Sequence, residues 1–469
     1  MLSKKIADGV GFSFVADKLE CFSYYGAAKI RELNAAFFDS VTLNVLRGSI
    51  NLAEIFCNMS KLMELSQSQV AEIQDALSNF KNIGGIVKKL EFACLLEVDF
   101  FEVKRFLLGL EKFIGIWIKA DYQLKGIHFT EMTETLNILD TDGQRSAAFF
   151  ISDDRFPSLK TARQEKTRIE ALIDKHGMTD DLMRKRAAIV AEEDKHEQAA
   201  LKSLTDKLRP HVSGFVSNME NIGMFDFTLA KTVLAKRTGA TCPRISTYNL
   251  FFTNMWNPKT QAELEKRGRV FTKTSIELQP GVTVLIGANM GGKSITIKTA
   301  LLNVMLANMG FFVFADAAEV PVYDDVFLIE EGVGDDFLSS FGAEIKQINE
   351  VVKRLPGSKF FALLDEPVRT TNPFEGTKIV RGIVSYLAKF KSTCLVSTHY
   401  DNVQNDAQEV YQAASFSYEG INGANAGNLA NFIKYELRKV GKNEAVPTEA
   451  INLCKILGMD EALLAEIDR

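Results

Sequence analysis

The stretch Val282-Thr283-Val284-Leu285-Ile286-Gly287-Ala288-Asn289-Met290-Gly291-Gly292-Lys293-Ser294 constrains the fold more than any other part of the chain. An apolar β-type run leads straight into G-x-x-x-x-G-K-[ST], and the residues from Ile295 onward read as helix. Strand, glycine loop and helix in that order form the phosphate-binding unit of a parallel α/β sheet. The glycines let backbone N–H groups approach phosphate oxygens, and the helix N-terminus adds favourable charge. On this reading Gly287, Ala288, Asn289, Met290, Gly291 and Gly292 cradle the phosphates. Lys293 reaches the β- and γ-phosphates, and the Ser294 hydroxyl ligates Mg²⁺. The motif predicts binding of a nucleoside triphosphate.

A second half of such a site lies downstream. Phe360-Phe361-Ala362-Leu363-Leu364-Asp365-Glu366 is an apolar strand ending in two acids, with Asp365 72 residues after Lys293. Asp365 is the expected Mg²⁺ carboxylate, and Glu366 the group that orients or deprotonates the attacking water. A third strand, Cys394–Thr398, ends at His399, which is placed to sense the γ-phosphate or the lytic water. Between these elements, Gly334-Asp335-Asp336-Phe337-Leu338-Ser339-Ser340-Phe341-Gly342 puts small hydroxyl residues at the start of a helix, where they suit phosphate as well as an ordinary cap.

The rest of the chain is organised around this half. Residues 1–156 carry mainly helical periodicity, with Leu52, Ile55, Phe56, Met59, Leu62 and Leu90, Leu95, Val98 near the 3.6-residue repeat and Gly84-Gly85 as a turn. Residues 157–210 read as two charge-rich helices in an antiparallel hairpin. Gly177 closes the first, and 12 Lys/Arg face 10 Asp/Glu. Residues 211–243 return to helical periodicity. Residues 244–440 alternate β-rich runs (Thr283–Ile286, Phe311–Phe314, Phe360–Leu364, Thr393–Val396) with helices, and 441–469 read as a terminal helical segment. Net charge is −5, which gives no support to a nucleic-acid surface, although a local patch is compatible with it. No run reaches the roughly 18 apolar residues of a membrane span. The six cysteines form no C-x-x-C pair, as expected of reduced thiols in a cytoplasmic protein.

The phosphate loop, with its Asn289-Met290-Gly291-Gly292-Lys293 core, resembles that of the MutS family of ATPases, known chiefly from DNA mismatch repair. Gly310–Val322, Leu338-Ser339-Ser340-Phe341, Asp365-Glu366 and Ser397-Thr398-His399-Tyr400 are similar to further signatures of that family. So are the passage from Phe225-Asp226-Phe227 to Cys242-Pro243 and the segment Pro447–Leu457. The resemblance implies an all-α core and lever with a helical-hairpin clamp, followed by an α/β P-loop ATPase of ABC/MutS type. It implies ATP and Mg²⁺ as ligands, Phe271 against the adenine, and a head-to-tail homodimer or paralogous heterodimer through the ATPase domains. In that dimer Ser339 and Ser340 act in trans on the partner's γ-phosphate.

Three departures from the family bear on the load that such an engine moves. Helical-core-like sequence begins almost at once, where a mismatch-reading domain is expected. Phe100-Phe101-Glu102 matches the Phe-x-Glu wedge formally but sits in an amphipathic helical run that suits core packing. The family's Gly-Arg-Gly-Thr after the acidic pair is replaced by Pro367-Val368-Arg369-Thr370-Thr371-Asn372-Pro373-Phe374-Glu375-Gly376, which predicts a stiffer loop. The chain also shows no nuclease-like tail of the second bacterial MutS branch. The Thr-Asn-Pro-x-Glu-Gly segment resembles a MutS-related group of reactivating ATPases for the cobalamin-dependent lysine 5,6-aminomutase, which implies a protein client. The alternative is a DNA client in mismatch or DNA-structure repair. A transporter-type or chromosome-clamp ATPase is a weaker reading, because Leu-Ser-Gly-Gly is absent.

Overall fold

The computed structural model describes residues 2–37, 42–48, 51–120, 122–287, 292–330, 337–354, 357–369, 371–416, 433–441, 454 and 458–467. The side chains of 337–340, 414–416, 433–434 and 461 are excepted. The chain divides into two compact units. One comprises residues 20–30 and 64–230, the other 1–19, 31–63 and 231–469. This division cuts across the linear segments read from the sequence, because 1–19 and 31–63 cluster with the C-terminal half.

The first unit is helical. Gln67–Ser78 opens on a capping box, in which Ser66 and Gln69 satisfy each other's backbone N–H groups. The helix Glu97–Lys119 buries Phe100, Phe106, Leu110 and Phe113. Phe113 meets Phe129 at 5.1 Å and Phe225 at 5.6 Å, both edge-on, and these rings form the centre of the unit. Phe100 stacks on Phe149 at 5.1 Å and is fully buried, so the ring that opens the Phe-x-Glu match is core packing. Pro157–His176 and Asp180–Leu208 form the hairpin, with Thr179 capping the second helix through the Leu182 N–H. Gly177 has φ 80° and ψ 168°, so it takes a positive φ but not the left-handed helical cap expected. Glu193 holds both helices together by accepting from Lys166 at 2.6 Å. In the loop after Thr133–Leu139, burial opposes ionisation of Asp140. Hydrogen bonds from Arg145 and Lys104 outweigh it and pull the carboxyl down to about 2.

Two expectations fail here. Gly84 and Gly85 are the first residues of the helix Gly84–Phe92, with the Gly84 N–H given to the Asn82 side chain. The Leu90–Val98 periodicity is interrupted, because Leu95 donates its N–H to Thr205 Oγ1 and Leu96 donates to Asp99, starting a new helix at Glu97.

The second unit carries two sheets. Its strands are β1 (Arg244–Ser246), β2 (Leu250–Met255), β3 (Thr274–Leu278), β4 (Gly281–Ile286), β5 (Ala317–Pro321), β6 (Asp325–Ile329), β7 (Phe360–Asp365), β8 (Thr393–Ser397), β9 (Glu409–Phe416) and β10 (Ile433–Lys439). The six-stranded sheet has the order β10-β9-β4-β8-β7-β6 and is parallel except for β10 at the edge. The smaller sheet, β1-β5-β2-β3, is mixed. Every residue of β4 is buried, and the helix Lys293–Asn308 that follows is buried nearly all round, as a helix enclosed between layers must be.

Phe311–Phe314 is not a strand. Val313 makes a single bridge to Thr241, the Phe314 N–H goes to the Asn303 side chain, and its carbonyl accepts from Trp256. The run is apolar because it is buried, and its backbone is satisfied by separate partners instead of a ladder. Pro447–Leu457 lies outside the described residues save Cys454, and Glu461–Ile467 is helical. All six cysteines are free thiols. Among the described residues no helix is long and apolar enough to cross a membrane.

Candidate active site

Parallel pairing brings the ends of β4, β7 and β8 to one edge, outside the carboxyl ends of the strands, where open α/β sheets bind ligands. Gly287 leaves β4 with φ 139°, and a Cβ there would lie 2.3 Å from the Ala413 carbonyl oxygen, so only glycine fits. Gly292 takes φ 79° as the cap from which Lys293–Asn308 starts. Ala288, Asn289, Met290 and Gly291 lie outside the described residues. Ser294 is exposed in the first turn of that helix.

Lys293 is almost fully buried. Its ammonium donates to the Gly287 carbonyl at 2.7 Å and pairs with Glu366 Oε1 at 3.2 Å. Glu366 sits just beyond β7 with φ 50°, and its other oxygen faces His399 Nδ1 at 3.9 Å and Arg369 at 3.6 Å. The structure thus brings Lys293, Glu366 and His399 together from three separate segments.

Ser397 is a member of the site that motif spacing did not single out. It lies opposite Asp365 in the β7–β8 register, fully buried. Its hydroxyl donates to Asp365 Oδ1 at 2.7 Å and accepts from the Glu366 N–H at 2.9 Å. One hydroxyl therefore orients both acids. Thr398 returns its N–H to Leu285 of β4 and accepts from the Tyr400 N–H, a tight turn that presents His399. Tyr435 of β10 is a further neighbour, with Cδ1 3.3 Å from where a Gly292 Cβ would be.

The donor set fits Mg²⁺. Ser294 and Asp365 offer hard oxygens. Among the described residues no group of three or more His, Cys, Asp or Glu gathers to hold a metal unaided. Mg²⁺ binds through one or two carboxylates with phosphate and water supplying the rest, which is the arrangement open to these two residues.

Two predicted site features are placed less completely. Ser339 and Ser340 lie in the first turn of the helix Phe337–Arg354, and their side chains are outside the described residues. Phe271 is half-exposed on the irregular segment before β3, whose sheet is the smaller one and not the one bearing the phosphate loop.

Residues 283–459 match the family model described as MutS domain V. The chain is 28% identical over 228 residues to the "Endonuclease MutS2" of Leuconostoc mesenteroides, covering 48% of this chain and 28% of that protein. It is 25% identical over 273 residues to the "DNA mismatch repair protein MutS" of Streptococcus suis, covering 56% and 31%. It is 29% identical over 217 residues to the "Endonuclease MutS2" of Latilactobacillus sakei, covering 45% and 27%. The chain thus spans less than a third of the length of these curated relatives. The matches support a MutS-type domain V. They lend no support to the narrower expectation of an aminomutase-reactivating branch.

Proposed function

We propose that this chain is a MutS-type ATPase that contributes half of each composite site in a dimer and acts on DNA. The observation that carries the reading is the ion pair of buried Lys293 with Glu366 beside Gly287, a position that only glycine can take. A buried ammonium that bonds a carboxylate and a carbonyl is poised to exchange them for phosphate oxygens, which are stronger partners. When the β- and γ-phosphates take Lys293, Glu366 is released to orient and deprotonate a water. His399 stands beside Glu366 and is assigned the hydrogen bond that senses the γ-phosphate. Ser397 keeps Asp365 and Glu366 in register through the exchange. Bound Mg²⁺, held by Ser294 and Asp365, supplies charge neutralisation on the phosphates. Phe271 is assigned to the adenine.

Ser339 and Ser340 are assigned to the γ-phosphate of the partner subunit, in a homodimer or a paralogous heterodimer. A phosphate bridging two subunits binds the closed state better than the open one, and that difference is what drives movement of the hairpin arm. The names of the relatives, an endonuclease and a mismatch repair protein, favour a DNA client over a protein client such as a cobalamin-dependent aminomutase. The proposed setting is cytoplasmic.

The client is tested by binding of the purified chain to mismatched, branched and plain duplex DNA across a salt series. The expected result is a preference for mismatched or branched DNA that survives about 150 mM salt. Weak binding without preference, lost as salt rises, overturns the DNA reading and returns the protein client to first place.

A further inference from the structure

Val368 lies two residues beyond Glu366 and is fully buried, with φ 61°. A β-branched side chain in the left-handed region is a genuine outlier, kept only where the surroundings over-determine it. Two side chains occupy its backbone groups, and the Thr371 N–H also donates to its carbonyl at 3.2 Å. The Val368 N–H donates to Glu344 Oε1 at 2.7 Å, and the Tyr400 hydroxyl donates to the Val368 carbonyl at 2.8 Å. Glu344 is a carboxylate with only 4% of its surface exposed, a costly group to bury for packing alone. Burial, and after it the charges of Glu344 and Glu366, push the Tyr400 phenol up, so it stays a donor. Gly376 makes room for that hydroxyl, since a Cβ there would lie 2.4 Å from it.

Glu366 is itself at φ 50° and anchored upstream to Ser397. Its backbone is therefore fixed on one side by β8 and on the other by whatever holds Val368. Glu344 belongs to the helix Phe337–Arg354, one helical turn after Ser340. The helix that opens on the serine pair and the loop that carries the catalytic carboxylate are thus joined by a buried hydrogen bond, beside the apolar packing of Val368 with Ile348.

Resting on the ATPase reading above, we propose that Glu344 is a positioning residue. With Tyr400 it clamps the strained Val368 backbone, and through that clamp it holds Glu366 in its working pose and ties that pose to the helix bearing Ser339 and Ser340. Glu344 is assigned no contact with nucleotide or water. It acts on the hydrolysis step and not on nucleotide binding.

The test uses the full chain and four variants: Glu344→Ala, Glu344→Gln, Glu344→Ala with Val368→Gly, and Glu366→Gln. Glu344→Ala is expected to lower kcat about tenfold or more while KM for ATP stays within about twofold. Glutamine keeps an acceptor oxygen and recovers most of the rate. Adding Val368→Gly to the alanine variant recovers part of it, because glycine holds φ near 61° without a clamp. A readout independent of turnover is amide exchange in the nucleotide-free protein. The peptide spanning residues 366–369 exchanges about tenfold faster in Glu344→Ala than in the wild type and returns to protection in Glu344→Gln. If Glu344→Ala hydrolyses and exchanges normally while Glu366→Gln is inactive, the clamp is wrong and the ATPase reading stands. If Glu344→Gln is as impaired as the alanine variant, charge and not the hydrogen bond is at work, and the clamp is again wrong. If the wild-type chain does not hydrolyse ATP, the ATPase reading falls and the clamp with it.

Discussion

Gly287 and Val368 solve the same backbone problem in opposite ways. Gly287 reaches φ 139° because it has no side chain to collide with the Ala413 carbonyl. Gly287→Ala combines that collision with a backbone region closed to L side chains. It is expected to cost about 1–3 kcal/mol in a denaturant titration and to abolish ATP binding measured by titration of a fluorescent analogue. Unchanged affinity would show that the loop does not wrap the phosphates. Val368 reaches its positive φ with a branched side chain and external clamps. It stands directly before Arg369, the residue kept from the resembled family's Gly-Arg-Gly-Thr, so the stiffer loop expected from losing glycines is pinned at a strained residue. At this scale the sequence displays those residues whose chemistry depends on local spacing: Gly287, Lys293, Asp365, Glu366 and His399. Ser397, Glu344 and Val368 stay hidden because their roles come from strand register and from a helix packing across the sheet edge, neither of which spacing records.

Elements were legible where apolar runs are bounded by turns. β4, β7 and β8 extend the runs read from the sequence by one or two residues. Phe311–Phe314 shows the limit of that signal, since a buried irregular segment and a buried strand carry the same apolar run. The hairpin was legible because its two helices are long and amphipathic and are broken by glycine. Its ion pairs, Arg186 with Glu170 and Lys166 with Glu193, are partly exposed and contribute little each. The turn contributes more. Gly177 lies at φ 80° and ψ 168°, a region open essentially to glycine alone, and nothing stands within 4 Å of a Cβ built there. Gly177→Ala is therefore a purely backbone perturbation, expected to destabilise the hairpin by about 1–3 kcal/mol. Faster amide exchange confined to residues 157–208, with ATP binding unaltered, is the expected signature. Unchanged exchange would mean that the turn adapts.

At the scale of the molecule, linear reading could not find the division of the chain. Residues 1–19 and 31–63 have the helical periodicity of their neighbours, yet they cluster with the nucleotide half. Periodicity reports which face of a helix is buried and not which unit buries it. The parallel sheet and its loaded edge were legible as an alternation of strands and helices around one motif. The central claim is that this edge is an ATP-hydrolysing site in which Glu366 serves the water and Lys293 the phosphates. The most direct measurement is ATP binding, turnover and assembly state of Glu366→Gln beside the wild type. Bound ATP retained at wild-type stoichiometry, turnover reduced at least about a hundredfold, and an ATP-dependent dimer accumulating is the predicted result. Hydrolysis by Glu366→Gln at the wild-type rate would contradict it.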